Sequence, residues 1–359
     1  MPCSARRKRH AKTDKTDCRH LRMLLAEGRL PECWIPPGRI LECRALLETY
    51  HDLRAWLARF ADCEDVAFAV EGCTGWRYVV EELAAAGVAA HLAEPADTAF
   101  ARGRKRHAKT DKTDCRHLRM LLAEGRLPEC WIPPGHILEC RALLETYHDL
   151  RREHTAWAQR IHAVLFHQGA PALGEGTLRT GPGVAALRAA AAAHLSPAGQ
   201  LQIATALDMT DMLDTRLHEL RHQLLDAARH LAGAKVLAAR LYGVGPVTAL
   251  AMTCWLGGKD RFSSSRKAVR FAGLDVTVRS SDRKGPPGRL SRQGPPVLRW
   301  AVYEAGKTHA RSSAPDYRYY AQVKDRCNGK RAALSEARKI LRQACHILAE
   351  LGDDALSAA

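Results

Sequence analysis

A 48-residue segment beginning RKRHAKTDKTDC occurs twice, at residues 7–54 and 104–151, with 47 identical positions and one difference, Arg39 against His136. Two copies of one segment cannot both fill the same place in a fold. Repeat architectures stack three or more units, whereas here two copies lie 97 residues apart with unrelated sequence between them. Identity extends to positions that packing would not constrain. The duplication therefore reads as a rearrangement at the DNA level, with the first copy a passenger.

The stretch between the copies fixes what surrounds the second one. AWLARFADCED (55–65) has a helical pattern. VAFAVE (66–71) is a short apolar run ending in an acid, and VAAHLAEP (88–95) is another, stopped by Pro95. Between them TGWRYVVEELAAAG (74–87) is an amphipathic helix closed by Gly87. Strand, helix, strand predicts a βαβ unit with parallel pairing and helical cover. After it come a basic run, the helix KTDKTDCRHLRMLLAEG, and PECWIPPG, which breaks the chain.

Two long helices follow. In the first, Leu143, Tyr147, Leu150, His154, Trp157, Ile161 and Val164 form a seam with alternating steps of four and three, interrupted only by His154. The second, at about 198–232, repeats the stepping at Leu213, Leu217, Leu220 and Leu224. Such helices pair with each other or with a second subunit. The first copy continues its own seam through Leu46, Tyr50, Leu53, Leu57 and Phe60. From about 233 the chain is basic and mostly helical. The expected fold class is α/β plus α.

A formal charge of +16 over 359 residues points to polyanionic partners, nucleic acid first. No apolar run is long enough for a membrane span, and the basic N-terminus lacks the apolar core of a secretory signal. The expected location is the cytoplasm. Six of the twelve cysteines are three positions counted twice, and no spacing resembles a zinc ligand set. They are expected to be reduced, mostly buried thiols.

Three constellations can carry chemistry. Glu71 ends a strand, where side chains enter the crevice in which parallel sheets bind ligands. Asp111 and Asp114 share a helix face three residues apart. Clustered acids repel unless a cation sits among them, so these three could hold Mg²⁺ against a nucleic-acid phosphate. Arg104, Lys105, Arg106 and Lys109 beside them would bind flanking phosphates. The plain alternative is a helix first turn enriched in Asp because the dipole favours it. Second, GVGPVTA (243–249) makes a tight turn before an apolar helix, and amides at Gly243 and Gly245 could meet a phosphate, as in a helix-hairpin-helix; an ordinary inter-helix turn is the alternative. Third, Ser280 and Ser281 lie in a Gly/Pro-rich segment with Arg279, Arg283, Lys284, Arg289 and Arg292. A serine needs activation to act as a nucleophile, and the arginines could neutralise a scissile phosphate; the alternative is a basic loop that only contacts phosphate. Tyr317, Tyr319 and Tyr320 offer a further nucleophile, though aromatic residues in helices more often pack or stack.

VEGCTGW, AKTDKTDCRHL, LPECWIPP, GVGPVTALA, RFSSSRKAVRFAGL and RSSDRKGPPGRLSRQGPPVLR, in this order, resemble transposases of the insertion sequence 110 family, with its 116 and 902 relatives. The resemblance covers about residues 55–350. It implies a RuvC-like (RNase H-fold) domain with a DEDD acidic set, a coiled-coil segment, and a C-terminal domain with a helix-hairpin-helix-like turn and a catalytic serine. It also implies Mg²⁺, DNA as substrate, a guide RNA encoded by the element, and a homodimer or homotetramer formed through the helical segment. By position Glu71, Asp111 and Asp114 match three of the four acids. Ser281 matches the nucleophile, with Ser280 the close alternative. The division that follows is 1–54 duplicated segment, 55–135 RuvC-like domain lacking its first strand, 136–232 helical segment and 233–359 transposase domain. The family's first Asp, in an N-terminal strand, has no counterpart in 1–54. The expectation is a DNA recombinase impaired by that loss, or a remnant that binds DNA or RNA without cutting.

Overall fold

The computed structural model describes residues 53–60, 63, 66–101, 111–174, 176–259, 261–276 and 290–357. The chain divides into two compact units, one through Cys130 and one from Trp131 onward.

In the first unit, β1 (Ala67–Glu71) and β2 (Ala89–Ala93) pair in parallel, with Ala67 opposite Ala89 and Glu71 opposite Ala93. Helix α1 (Trp76–Ala85) connects them. Its end is closed as the sequence predicts: the amides of Gly87 and Val88 bond back to the carbonyls of Ala84 and Leu83, each at 3.0 Å. Val88 and Leu83 then share a small core with Leu57, against which Phe68 and Val70 pack. Residues 53–57 are helical and lead into a turn at Ala58–Phe60. Trp56, Phe60 and Phe68 meet edge to face with centroids 4.9–5.4 Å apart, an arrangement aromatic quadrupoles favour. Helices α2 (Pro95–Ala101) and α3 (Asp111–Ala123) complete the described part. PECWIPPG does break the chain, but it also extends the sheet. Residues 128–130 run antiparallel to β2, with Glu94 N–H donating to Pro128 O at 2.8 Å and Cys130 N–H to Leu92 O at 2.6 Å.

In the second unit, α4 (Gly135–His167) and α6 (Pro197–Arg229) pack against each other, with α5 (Gly181–His194) beside α6. The inward face coincides with the expected seams only in part, Ile161 of α4 and Leu213 and Leu224 of α6 being buried. Ile161 and Leu165 join Ile203, Ala206 and Leu207 in one cluster, and Ile137 and Leu144 join Leu224 and Ala228 in another. His154, the seam's polar interruption, finds a partner across it, its Nε2 lying 3.2 Å from Asp214 Oδ1.

Helix α7 (Ala232–Arg240) turns into α8 (Pro246–Leu256), followed by α9 (Ser265–Phe271), α10 (Pro296–Thr308), α11 (Tyr317–Arg326) and α12 (Gly329–Leu351). Every residue of α8 from Ala249 to Leu256 is buried. A helix apolar on all sides requires neighbours on all sides, and α4, α6, α7, α10 and α12 supply them. Arg141 of α4 locks α8 from its C-terminal end, donating from Nε and a terminal nitrogen to Cys254 O at 3.0 and 2.8 Å. Its guanidinium lies near the rings of Trp131 and Trp255, 5.2 and 5.4 Å from their centroids. Burial pulls its pKa down to about 10, so it stays charged.

One expectation needs correction. The cysteines are free but not mostly buried: among the described residues Cys254 is buried, whereas Cys63, Cys73, Cys115 and Cys327 are exposed. Free thiols tolerate the surface when nothing nearby oxidises or ligates them. No helix among the described residues is long and apolar enough to cross a membrane.

Helices α10 and α12 cross with backbones nearly touching. A Cβ on Gly306 would collide with the Ala333 carbonyl oxygen and lie 3.1 Å from Ala337 N. Gly306→Ala should therefore cost about 1–3 kcal/mol. Gly135→Ala, with no atom near its Cβ position, should stay within about 0.5 kcal/mol of the parent. Urea unfolding of the two variants tests this.

Candidate nucleic-acid site

The acidic set rests on the first unit. Glu71 is half-buried at the C-terminal end of β1, and α3, which begins at Asp111 and carries half-buried Asp114, packs against β1. Phe68 and Val70 face the small apolar core, so strand alternation projects Glu71 from the other face of the sheet. The structure thus brings together the two elements that carry these acids. Arg104, Lys105, Arg106 and Lys109 lie outside the described residues.

The Gly243–Gly245 turn is exposed at both glycines and buried at Val244 between them. Gly243 has φ 77, and a Cβ there would run into Thr308 Oγ1 and lie 3.0 Å from Ala305 O. The glycine is thus required by the approach of α10, independently of any ligand. Gly245 has open space around it and caps α8, whose Pro246 stands at the first helical position.

Arg279, Ser280, Ser281, Arg283, Lys284 and Arg289 also lie outside the described residues. What is described is the base from which their segment departs and to which it returns. Val276 and Leu290 form an antiparallel bridge across it. Beside the bridge Ser291 N–H donates to Asp275 O at 3.0 Å, and Ser291 Oγ donates to Asp275 Oδ1 at 2.6 Å. Two arginines from behind brace this base. Arg299 of α10 donates to Ala272 O at 3.2 Å and Gly294 O at 2.9 Å, joining the outgoing and returning limbs. Arg338 of α12 donates to Leu274 O at 2.8 Å. Burial holds both guanidinium pKa values below their ordinary range, with neighbouring Arg292 lowering that of Arg299 further. Asp275, Ser291, Arg299 and Arg338 were not legible as site residues. Arg338 lies 64 residues from its acceptor, and no local pattern marks such a pairing.

Arg292 stands exposed on the returning limb at φ 53, a left-handed conformation uncommon for a bulky residue. Its amide donates to Gly273 O at 3.2 Å. Strain of this kind concentrates at functional sites. The tyrosines divide: Tyr317 and Tyr319 are exposed on α11, whereas Tyr320 is buried with its hydroxyl donating to Gly329 O at 3.2 Å. A further polar group lies where α10, α11 and α12 meet. His309, Asp316 and Glu336 place one potential ligand atom each within 4.8 Å of one another.

Residues 235–322 match the sequence family described as Transposase IS116/IS110/IS902 family, a quarter of the chain. That span runs from α7 into α11 and includes the Gly243–Gly245 turn and the whole serine segment with its braced base. The match supports the family reading and a transposase role, with DNA as the implied substrate. No curated protein matches the chain.

If Arg292 meets phosphate, its replacement separates binding from stability. Arg292→Gly relieves the φ 53 strain while raising unfolded-state entropy, so stability should stay within about 0.5 kcal/mol of the parent. DNA binding should weaken, and the slope of log K against log salt should fall by about 0.9. Fluorescence anisotropy over a salt series, beside urea unfolding, measures both.

Proposed function

We propose that this chain derives from a DNA transposase of a mobile insertion element that cuts and joins DNA through a serine nucleophile. One observation carries the reading: the family match over residues 235–322 spans the serine segment. The braced base supports it, since a nucleophile must be held in place to attack. Ser281 Oγ, or Ser280 Oγ in its place, bonds to the phosphorus of a DNA phosphodiester. One bridging P–O bond breaks, and the hydroxyl's proton leaves for solvent or the departing oxygen. Arg279, Arg283, Lys284, Arg289 and Arg292 offset the phosphate charge, while the turn at Gly243 and Gly245 and the run Arg104, Lys105, Arg106, Lys109 grip flanking backbone.

Glu71, Asp111 and Asp114 form a hard oxygen donor set suited to Mg²⁺, and the packing of α3 on β1 fits that role. Bound there, Mg²⁺ would polarise the scissile phosphate. In this reading residues 55–135 form a RuvC-like domain and a guide RNA of the element selects the DNA. The α4–α6 segment contributes to a dimer or tetramer, and the protein works in the cytoplasm. The first copy of the repeat stands where the family's first Asp strand belongs, so cleavage is impaired.

Capture of covalent protein–DNA adducts tests the proposal, using element-end DNA, the element's flanking RNA and Mg²⁺. A weak adduct abolished by Ser281→Ala and reduced about 100-fold or more by Asp114→Ala is expected. An adduct lost only in Ser280→Ala moves the nucleophile by one residue. No adduct, with tight salt-sensitive binding of DNA or RNA, identifies a binding remnant. An adduct as strong as that of an intact relative disproves the impairment.

A further inference from the structure

We infer that the meeting point of α10, α11 and α12 holds a divalent metal ion of the zinc class, liganded by His309, Asp316 and Glu336. The three residues come from separate places. His309 follows α10, Asp316 precedes α11 and Glu336 lies within α12. Their ligand atoms lie within 4.8 Å of one another. His309 is 3% exposed and Glu336 0%. Neither carboxylate oxygen of Glu336 has a hydrogen-bond partner among the described residues, and the Tyr242 backbone at the His309 ring is too poorly aligned for a good hydrogen bond. The closest approach of the two side chains, Nδ1 to Oε2, is 3.7 Å, too long for a hydrogen bond. Burying such groups without good hydrogen bonds is costly, and native structures do so with a partner to compensate.

The geometry favours an ion between them. A tetrahedral ion with bonds of about 2.0–2.1 Å keeps its ligand atoms about 3.4 Å apart, close to the 3.7 Å between His309 and Glu336, with Asp316 within 4.8 Å of both. A trapped water could bridge the same atoms; the Zn²⁺ titration below separates the two. Burial pushes the imidazole pKa of His309 down, which keeps it in the neutral form that binds metal. Burial pushes the Glu336 carboxyl up, so binding would displace its proton. One imidazole with two carboxylates suits Zn²⁺ better than Mg²⁺, which takes oxygen ligands.

Asp316 provides the entry. Its side chain is 34% exposed and pairs with Lys339 at 2.8 Å, an ion pair that must loosen or share as the ion arrives. On the inner side, Tyr242 meets His309 edge-on, centroids 5.2 Å apart. The ion would staple the α10–α11 corner to α12, two residues before Arg338, which braces the serine segment's base. Its role is structural and separate from the Glu71, Asp111 and Asp114 set.

The full-length chain, stripped with a chelator and titrated with Zn²⁺, tests this by calorimetry and thermal melting. One Zn²⁺ per chain and a raised melting temperature are expected. Asp316→Asn, which leaves the buried pair intact, should weaken binding about tenfold or more, and His309→Ala or Glu336→Gln should abolish it. Co²⁺ should show weak visible bands without strong thiolate charge-transfer absorption. Zn²⁺ uptake unchanged by all three substitutions, a thiolate spectrum, or melting indifferent to Zn²⁺ overturns the inference. Ser281→Ala should bind Zn²⁺ like the parent, so the two proposals fail independently.

Discussion

Helix α8 has no polar side. Its residues from Ala249 to Leu256 are all buried. A segment of this kind cannot lie on a surface, so other helices must enclose it. Once α4, α6, α7, α10 and α12 do so, little freedom is left. The turn at Gly243 must pass under Thr308, α10 must cross α12 at Gly306, and Arg141 must cap the α8 carbonyl end from inside the protein. The second unit can be read as the consequence of hiding one apolar helix.

That enclosure also builds the support for the serine segment. Arg299 stands on α10 and Arg338 on α12, the two helices locked by the Gly306 crossing. Each reaches a carbonyl on the segment's base. Charged donors to buried carbonyls are strong hydrogen bonds, so the base is held from behind by the core itself. The core thus positions the base from which the basic segment departs.

Some of this was legible in the chain and some was not. The βαβ unit was, because Val66 to Glu71 and Val88 to Ala93 are short apolar runs around an amphipathic helix. The pairing of α4 and α6 was legible only in part: Ile161, Leu213 and Leu224 were placed on the buried face, whereas Ile137, Leu144 and Leu165 fill it from outside the four-three stepping. The antiparallel strip at 128–130 was hidden, because Pro128, Pro133 and Pro134 mask any alternation. The burial of cysteines was misjudged, since residue type sets only an average. The His309, Asp316 and Glu336 group was invisible, for its members are 7 and 20 residues apart and share no periodicity.

The duplicated segment draws the line most clearly. Arg54 and Arg151 are the same residue in the same surrounding words. Arg54 forms an ion pair with Glu82 of α1, with oxygens at 2.6 and 3.0 Å. Arg151 instead lies over the ring of Trp300, 5.0 Å from its centroid. Local sequence determined what both share, a helical backbone and a long cationic side chain, because propensity and periodicity act over a few residues. Which partner each cation met was decided by the tertiary structure alone, because Glu82 and Trp300 are brought near by burial of apolar surface far along the chain.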